Sequence, residues 1–276
     1  MSETQSNSWQ SLSIERQGPV AVVTLLGPGK GNAMGPEFWV ELPEAMASLD
    51  RDEAVRACIL RGSGKCFSTG LDLPRTMGEL APLLTGPQLG HDRRKLLTLI
   101  ERYQRAITAV AESRVPVIAA VHGYCLGGGV DLVAAADLRV ASTDAVFSVR
   151  EVRLAIVADV GSLQRLPGIV GEGRAREWAL TGRDFDAAEA LRAGLVTSVH
   201  EGGAEGVFAA ARTIAERLAA GPPLTVQGIK SVMNDARTAR DRETLRHVAL
   251  WNTAFLSSTE LHEAFAAFAE RREPRF

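Results

Sequence analysis

Cysteine is scarce in this chain and net charge is nearly absent. Only Cys58, Cys66 and Cys125 occur; they are odd in number and form no CxxC pair, so neither a disulfide framework nor a zinc knuckle is supported. A formal net charge of -2 gives no electrostatic reason to expect nucleic acid. No stretch of about 18 apolar residues runs free of charge, which argues against a membrane span. The N-terminal "MSETQSNSWQ" lacks the basic and apolar regions of a signal peptide, and the C-terminal "EPRF" is no Ser-Lys-Leu type of address. These absences lead to the expectation of a reducing, cytoplasmic compartment.

Familiar catalytic and nucleotide-binding motifs are missing too. "GPGKGNAMG" (Gly27 to Gly35) has neither the GxGxxG spacing nor that of a phosphate loop, and "GSGKC" lacks the first glycine of such a loop. His91, His122, His200, His247 and His262 are scattered, with no HExxH and no partner serine in GxSxG, so each reads as structural or solvated. Metal and serine hydrolase chemistry drop out, and no metal site is expected.

What the chain does have is enough length and apolar content, 276 residues and 46%, to bury a sizeable core. Residues 1–11 are expected to be disordered. "LSIERQGPVAVVTLL" predicts a hairpin around Gly18-Pro19, and the spacing of Phe38, Trp39, Leu42, Ala45, Met46 and Leu49 predicts a helix despite Pro43. "VRACILRG", "VPVIAAVHG", "LRVAS" and "GLVTSVH" read as strands, Gly78 to Asp92 as a loop, and "RRKLLTLIERYQRAITAVAES" as a long helix. Strand and helix alternate as in an α/β protein. From about Gly203 four helical patterns follow without a strand, which divides the chain into a core, 1–202, and a helical region, 203–276. Trp251, Phe255, Leu256, Phe265 and Phe268 in that region suit oligomerisation.

Three carboxylates stand out. Glu151 and Asp159 lie eight residues apart in the apolar "EVRLAIVADVG", and Asp131 follows three glycines in "GYCLGGGVDLV". The glycine run admits two readings, tight packing of a strand-to-helix turn or unpaired N–H groups at a helix N-terminus aimed at a developing oxyanion. The turn at Gly70 in "GKCFSTGLDL" offers a second donor, the N–H of Leu71. Two donors on one carbonyl oxygen are what enolate chemistry on an acyl thioester needs, each worth about 3 kcal/mol in the transition state. If Glu151 to Asp159 were extended the two acids would stand roughly 26 Å apart, and as helix roughly 12 Å, so the chain must bend for both to reach one substrate. Val152, Leu154, Ile156, Val157 and Val160 are expected to desolvate them. The competing reading pairs Glu151 with Arg150 or Arg153, makes Asp159 a helix cap near Ser162 and leaves Asp131 solvated.

"PVIAAVHGYCLGGGVDLVAAADLRVAS", with "KCFSTGLDL" before it and "GRDFDAAEALRAGLV" after it, resembles the enoyl-CoA hydratase/isomerase (crotonase) superfamily from about Ile14 to the C-terminal helices. Asp131, Glu151 and Asp159 together look like its dienoyl-CoA isomerase branch. The resemblance implies an α/β spiral of ββα units with a helical C-terminal region, assembled as a homotrimer or homohexamer. It implies an acyl-CoA thioester substrate and no separate cofactor. It implies an oxyanion hole from the N–H groups of Leu71 and Gly128, catalytic roles for Glu151, Asp159 and Asp131, and coenzyme A contacts near Ala33, Gly70 and Asp72. The implied reaction shifts the double bonds of a 3,5-dienoyl thioester to 2,4 in fatty acid β-oxidation, with Glu151 serving C2 as base and Asp159 serving C6 as acid. Hydration of 2-enoyl-CoA and non-catalytic acyl-CoA binding are the alternatives.

Overall fold

The computed structural model describes residues 9–27, 30–85 and 89–276. Strands β1 (Leu12–Gln17) and β2 (Val20–Leu25) form the expected antiparallel hairpin. Helix α1 (Phe38–Arg51) follows, with Pro43 inside it and its six predicted apolar residues all buried. Strand β3 (Ala57–Gly62), helices α2 (Leu73–Leu84) and α3 (Gly90–Glu112) and strand β4 (Val117–Val121) come next. The expected loop from Gly78 to Asp92 is largely helical, belonging to α2 and the start of α3, while residues 86–88 lie outside the described residues. Glycine and proline masked α2 in the sequence. Asp72 caps its N-terminus and Pro74 occupies its first turn, where a missing N–H costs nothing, and Pro82 falls in its last turn.

The chain continues through β5 (Tyr124–Leu126), α4 (Gly128–Ala135), β6 (Leu138–Ser142), β7 (Val146–Ser148) and a 3-10 turn over Glu151–Leu154. Then come α5 (Ser162–Val170), α6 (Glu172–Thr181), β8 (Phe185–Asp186), α7 (Ala187–Arg192) and β9 (Ser198–His200). Six strands form one sheet in the order β1-β2-β3-β4-β6-β9, parallel beyond the first hairpin. The short strands form a second sheet, β5-β7-β8. Two successive units, β4-β5-α4 and β6-β7-α5, each send a long strand to one sheet, a short strand to the other, and then a helix.

The last part is α8 (Gly203–Ala220), α9 (Pro223–Phe255) and α10 (Thr259–Glu270). Two of the four expected helical patterns are one continuous 33-residue helix, α9. The charged stretch from Asp235 to Glu243 interrupts the apolar period without any glycine or proline to interrupt the backbone. Alternation along the strands gives the large sheet two apolar faces. Val20, Val22, Ala57, Ile59, Ile118, Ala120 and Val140 pack against Val207, Ala211, Ala215 and Ala219 of α8. The opposite face carries the main core with α1, α3 and α4. Residues 1–8 lie outside the described residues, but Trp9 packs on that core and Ser11 is buried, its N–H donating to Glu41 at 2.8 Å. The expected disorder therefore does not extend to residues 9–11.

Candidate active site

Parallel pairing brings distant segments to one place. Ser68 bridges Cys125 in parallel, and β5 runs parallel to β7, so the residues just beyond these strands emerge side by side. They are Thr69 to Leu71, Gly127 to Gly128, and Val149 to Glu151. All three segments line one cleft of about 1090 Å³.

At its floor two N–H groups converge. Met34 bridges Leu71 in parallel, its N–H donating to the Gly70 carbonyl and its own carbonyl accepting from the Asp72 N–H, which leaves the Leu71 N–H turned away without an acceptor among the described residues. Gly128 is the first residue of α4, so its N–H is one of the helix's unpaired donors, with the positive end of the helix dipole behind it. The two loops touch: a Cβ on Gly70, which has φ +83°, would meet the Leu126 carbonyl oxygen at 2.6 Å and the Gly128 nitrogen at 3.1 Å. Close packing of the two glycine turns is what brings the two N–H groups near one another.

Glu151 and Asp159 reach the same cleft because the chain between them turns back. The 3-10 turn ends at Ala155, which adopts the left-handed conformation at φ 54°, and the Ile156 N–H donates to the Glu151 carbonyl. Leu154, Ile156 and Val160 line the cleft beside the acids. Val152 and Val157 are exposed instead and do not shield them as expected.

Asp131 is fully buried and does not line the cleft. It stands behind Glu151, and its Oδ1 accepts a hydrogen bond from the Ser162 N–H at the start of α5. The helix cap near Ser162 is thus Asp131, not Asp159, and Asp131 is not solvated. Arg150 and Arg153 pair with Asp184, at 2.7 and 3.4 Å, and Glu151 has no ion-pair partner among the described residues.

The electrostatics follow. Burial, then the charge of Asp131, then that of Asp159 hold the Glu151 carboxyl well above the usual carboxylate range. Burial also raises Asp131, opposed by its bond from Ser162 and the nearby Arg165 guanidinium. Asp131 thus raises the proton affinity of Glu151, and one buried oxygen of each, Glu151 Oε2 and Asp131 Oδ2, has no hydrogen-bond partner among the described residues. Burial pushes Asp159 up to about 7 against the lowering effect of a hydrogen bond from Asn252.

Ala33 and Asp72 border the cleft; Gly70 lies beneath Gly128 rather than on the cleft wall. Sequence reasoning missed Asn252, on α9 and 93 residues from its partner Asp159, and the stacked pair Trp39 and Tyr103, whose rings lie 4.2 Å apart on the cleft wall. No local signal marks Asn252. The aromatic pair was visible only as helix-spaced apolar positions. His122 is structural, its Nε2 3.1 Å from the Gly64 carbonyl oxygen, and all three cysteines are buried and free.

The family model for enoyl-CoA hydratase/isomerase matches residues 15–276. The chain is 44% identical over 249 residues to a peroxisomal Δ(3,5)-Δ(2,4)-dienoyl-CoA isomerase of Arabidopsis thaliana, covering 90% of this chain and 89% of that one. It is 40% identical over 260 residues to a mitochondrial Δ(3,5)-Δ(2,4)-dienoyl-CoA isomerase of Dictyostelium discoideum, covering 93% and 87%. Among solved structures, an enoyl-CoA hydratase/isomerase from Pseudoalteromonas atlantica superposes with a TM-score of 0.83 at 28% identity, covering 97% of this chain and all of that one. These relatives overturn the expected cytoplasmic placement, since they are proteins of peroxisomes and mitochondria. Free cysteines do not distinguish one reducing compartment from another. From the glycine-lined donor pair to the C-terminal helices, the chain belongs to the enoyl-CoA hydratase/isomerase family.

Proposed function

We propose that this protein is an enzyme converting a 3,5-dienoyl-CoA to the 2,4-dienoyl-CoA in the β-oxidation of unsaturated fatty acids. The observation that carries the reading is the presence of two separate carboxyls, Glu151 and Asp159, in the cleft that also holds two convergent N–H donors. Glu151 takes a proton from C2, and the charge spreads onto the thioester oxygen, where the Leu71 and Gly128 N–H groups stabilise it. Asp159 returns a proton at C6, and the double bonds settle at 2,3 and 4,5. One proton leaves and one returns, with no change in oxidation state, so no cofactor is assigned beyond the coenzyme A of the substrate.

Protonation states fit this division. An α-proton of a thioester is a weak acid, and a base of raised pKa is correspondingly stronger, although fewer copies of it are ionised. Glu151 acts as that base in its ionised form, which burial and the Asp131 charge make a strong one. With a pKa near 7, Asp159 exists in both forms at neutral pH, as a donor that must be reloaded each turnover requires. Asp131 is buried and does not line the cleft, which weighs against the hydratase alternative.

Ala33 and Asp72 border the coenzyme A side, joined by Lys30 on the same cleft, and Gly70 acts there only by shaping the turn that precedes Leu71. We also propose self-association through α9 and α10, whose Val232, Met233, Trp251, Phe255 and Phe268 are exposed, consistent with a trimer or a pair of trimers. The reading divides the chain into a catalytic core, 1–202, and an assembly region, 203–276.

Incubation of the purified protein with a 3,5-dienoyl-CoA should produce the ultraviolet absorbance of the conjugated 2,4-dienoyl thioester. Glu151→Gln and Asp159→Asn should each lose it by about 100-fold or more. A wild-type protein that yields no such product overturns the proposal, and turnover of a 2-enoyl-CoA in its place would establish the hydratase.

A further inference from the structure

Asp159 is held by two helices. Asn252 of α9 is buried, at 2% exposure, and its side-chain nitrogen donates to Asp159 Oδ2 at 2.7 Å and to the Val157 carbonyl at 2.8 Å. Gln104 of α3 donates to the backbone carbonyl of Asp159 at 2.8 Å and to that of Leu245, on α9, at 2.9 Å. The side chain and the backbone of one acid are thus fixed by amides from two separate elements. Asp159 Oδ1 accepts none of the hydrogen bonds among the described residues, which leaves one oxygen for substrate.

We propose that Asn252 is a positioning residue for the distal proton transfer, aiming Asp159 at the acyl chain and keeping it able both to give and to regain a proton. This rests on the isomerase reading above. The physical case begins with what surrounds Asp159. Asp131 of α4, Glu151 of the 3-10 turn and Tyr103 of α3 face it, and none of them is a cation. Burial and the Asp131 charge both favour its neutral form, and the Asn252 amide is the side-chain donor that favours the ionised one. Were Asn252 absent, Asp159 would stay protonated across the neutral range. It would then give up a proton less readily, and its carboxyl would turn freely about its side-chain bonds.

The test is Asn252→Leu, which keeps the volume and removes the donors, with Asn252→Ser as a second variant should the first fail to fold. Folding is checked by thermal melting. The alkaline limb of kcat for the 3,5-to-2,4 reaction reports loss of the Asp159 proton, and it should move up by about one pH unit, the order expected when a hydrogen bond to a charged group is removed. kcat should fall about tenfold while KM changes less than about twofold, because the lost interaction acts on the proton transfer and not on binding. In deuterated water, exchange at C2 should persist in the variant, since Glu151 and the N–H pair are untouched, while deuterium entry at C6 falls with kcat.

An unmoved alkaline limb, or equal loss of C2 and C6 exchange in proportion to unfolded protein, overturns the inference and leaves Asn252 as a packing residue. A wild-type protein that exchanges C2 protons yet forms no 2,4-dienoyl product overturns the isomerase reading, and the role of Asn252 with it. The two failures are therefore distinguishable.

Discussion

At the residue scale the site spends stability on chemistry. Glu151 and Asp159 have folded-state pKa values raised above those of the unfolded chain, by burial first. A raised carboxyl binds its proton more tightly in the folded protein, so the stability this contributes is fully present below the unfolded value near pH 4 and is lost as pH rises through the folded value. For Asp159 that window runs from 3.8 to about 7, and the loss across it is on the order of a few kcal/mol, reduced by water in the cleft. Glu151→Gln is accordingly expected to raise the melting temperature at pH 8 and to do so much less at pH 4, while abolishing isomerisation. Scanning calorimetry at both pH values checks this, and equal shifts at the two would refute it. Gly127 is a second sensitive residue. It holds φ +52°, and a Cβ there would stand 3.2 Å from Glu151 Oε1. Gly127→Ala should therefore cost about 1–2 kcal/mol of stability through backbone strain and displace the base. A urea denaturation curve beside the dienoyl assay would measure both effects.

Among the elements, the segment from Glu151 to Gly161 and helix α9 do the most. The 3-10 turn and the left-handed Ala155 convert a separation of eight residues into a shared cleft. Helix α9 backs that segment from behind the cleft lining and is tied down at both ends of its inner face. Asn252 holds the Asp159 segment, and Lys230, nearly buried, donates to the Val115 carbonyl at 3.0 Å and to Asp137 at 2.7 Å. Removing Lys230 leaves the Asp137 carboxylate without its cation beside the start of β4, where it also accepts from the Val117 N–H. Lys230→Ala is expected to cost about 3 kcal/mol, the order found when one partner of a largely buried ion pair is removed. Chemical denaturation measures it, and a cost under about 1 kcal/mol would class the pair with ordinary surface bridges.

For the whole molecule, the exposed apolar residues of α9 and α10 ask for a partner. Trp251 and Phe255 lie with their ring centroids 4.8 Å apart and tilted at 50°, both exposed on α9, near the turn of helix that carries Asn252 inward. Trp251→Glu combined with Phe255→Glu should shift the protein toward monomer in sedimentation velocity. Loss of activity alongside would show that assembly supports the cleft, and an unchanged sedimentation profile would place the interface elsewhere. Helix α10 also reaches the cleft, which Ala264, Ala267 and Phe268 line.

Local pattern carried much of this molecule. Alternating apolar residues marked the hairpin and the long strands, the spacing of Phe38 to Leu49 marked α1 despite a proline, and the glycine run beside Asp131 marked the donor loop. Each depends on neighbours within a few residues, and so it can be read along the chain. The apparent loop that became α2, and the two helical patterns that fused into α9, misled because glycine, proline and charge interrupt an apolar period more readily than they interrupt a helix. What only the tertiary structure decided is which distant groups meet. Parallel strand ends bring Leu71, Gly128 and Glu151 together; the fold buries Asp131 where it caps α5; and an asparagine 93 residues away donates a hydrogen bond to Asp159. The reason is physical: hydrogen bonding and desolvation depend on separation in space, and a sequence orders residues only along the backbone.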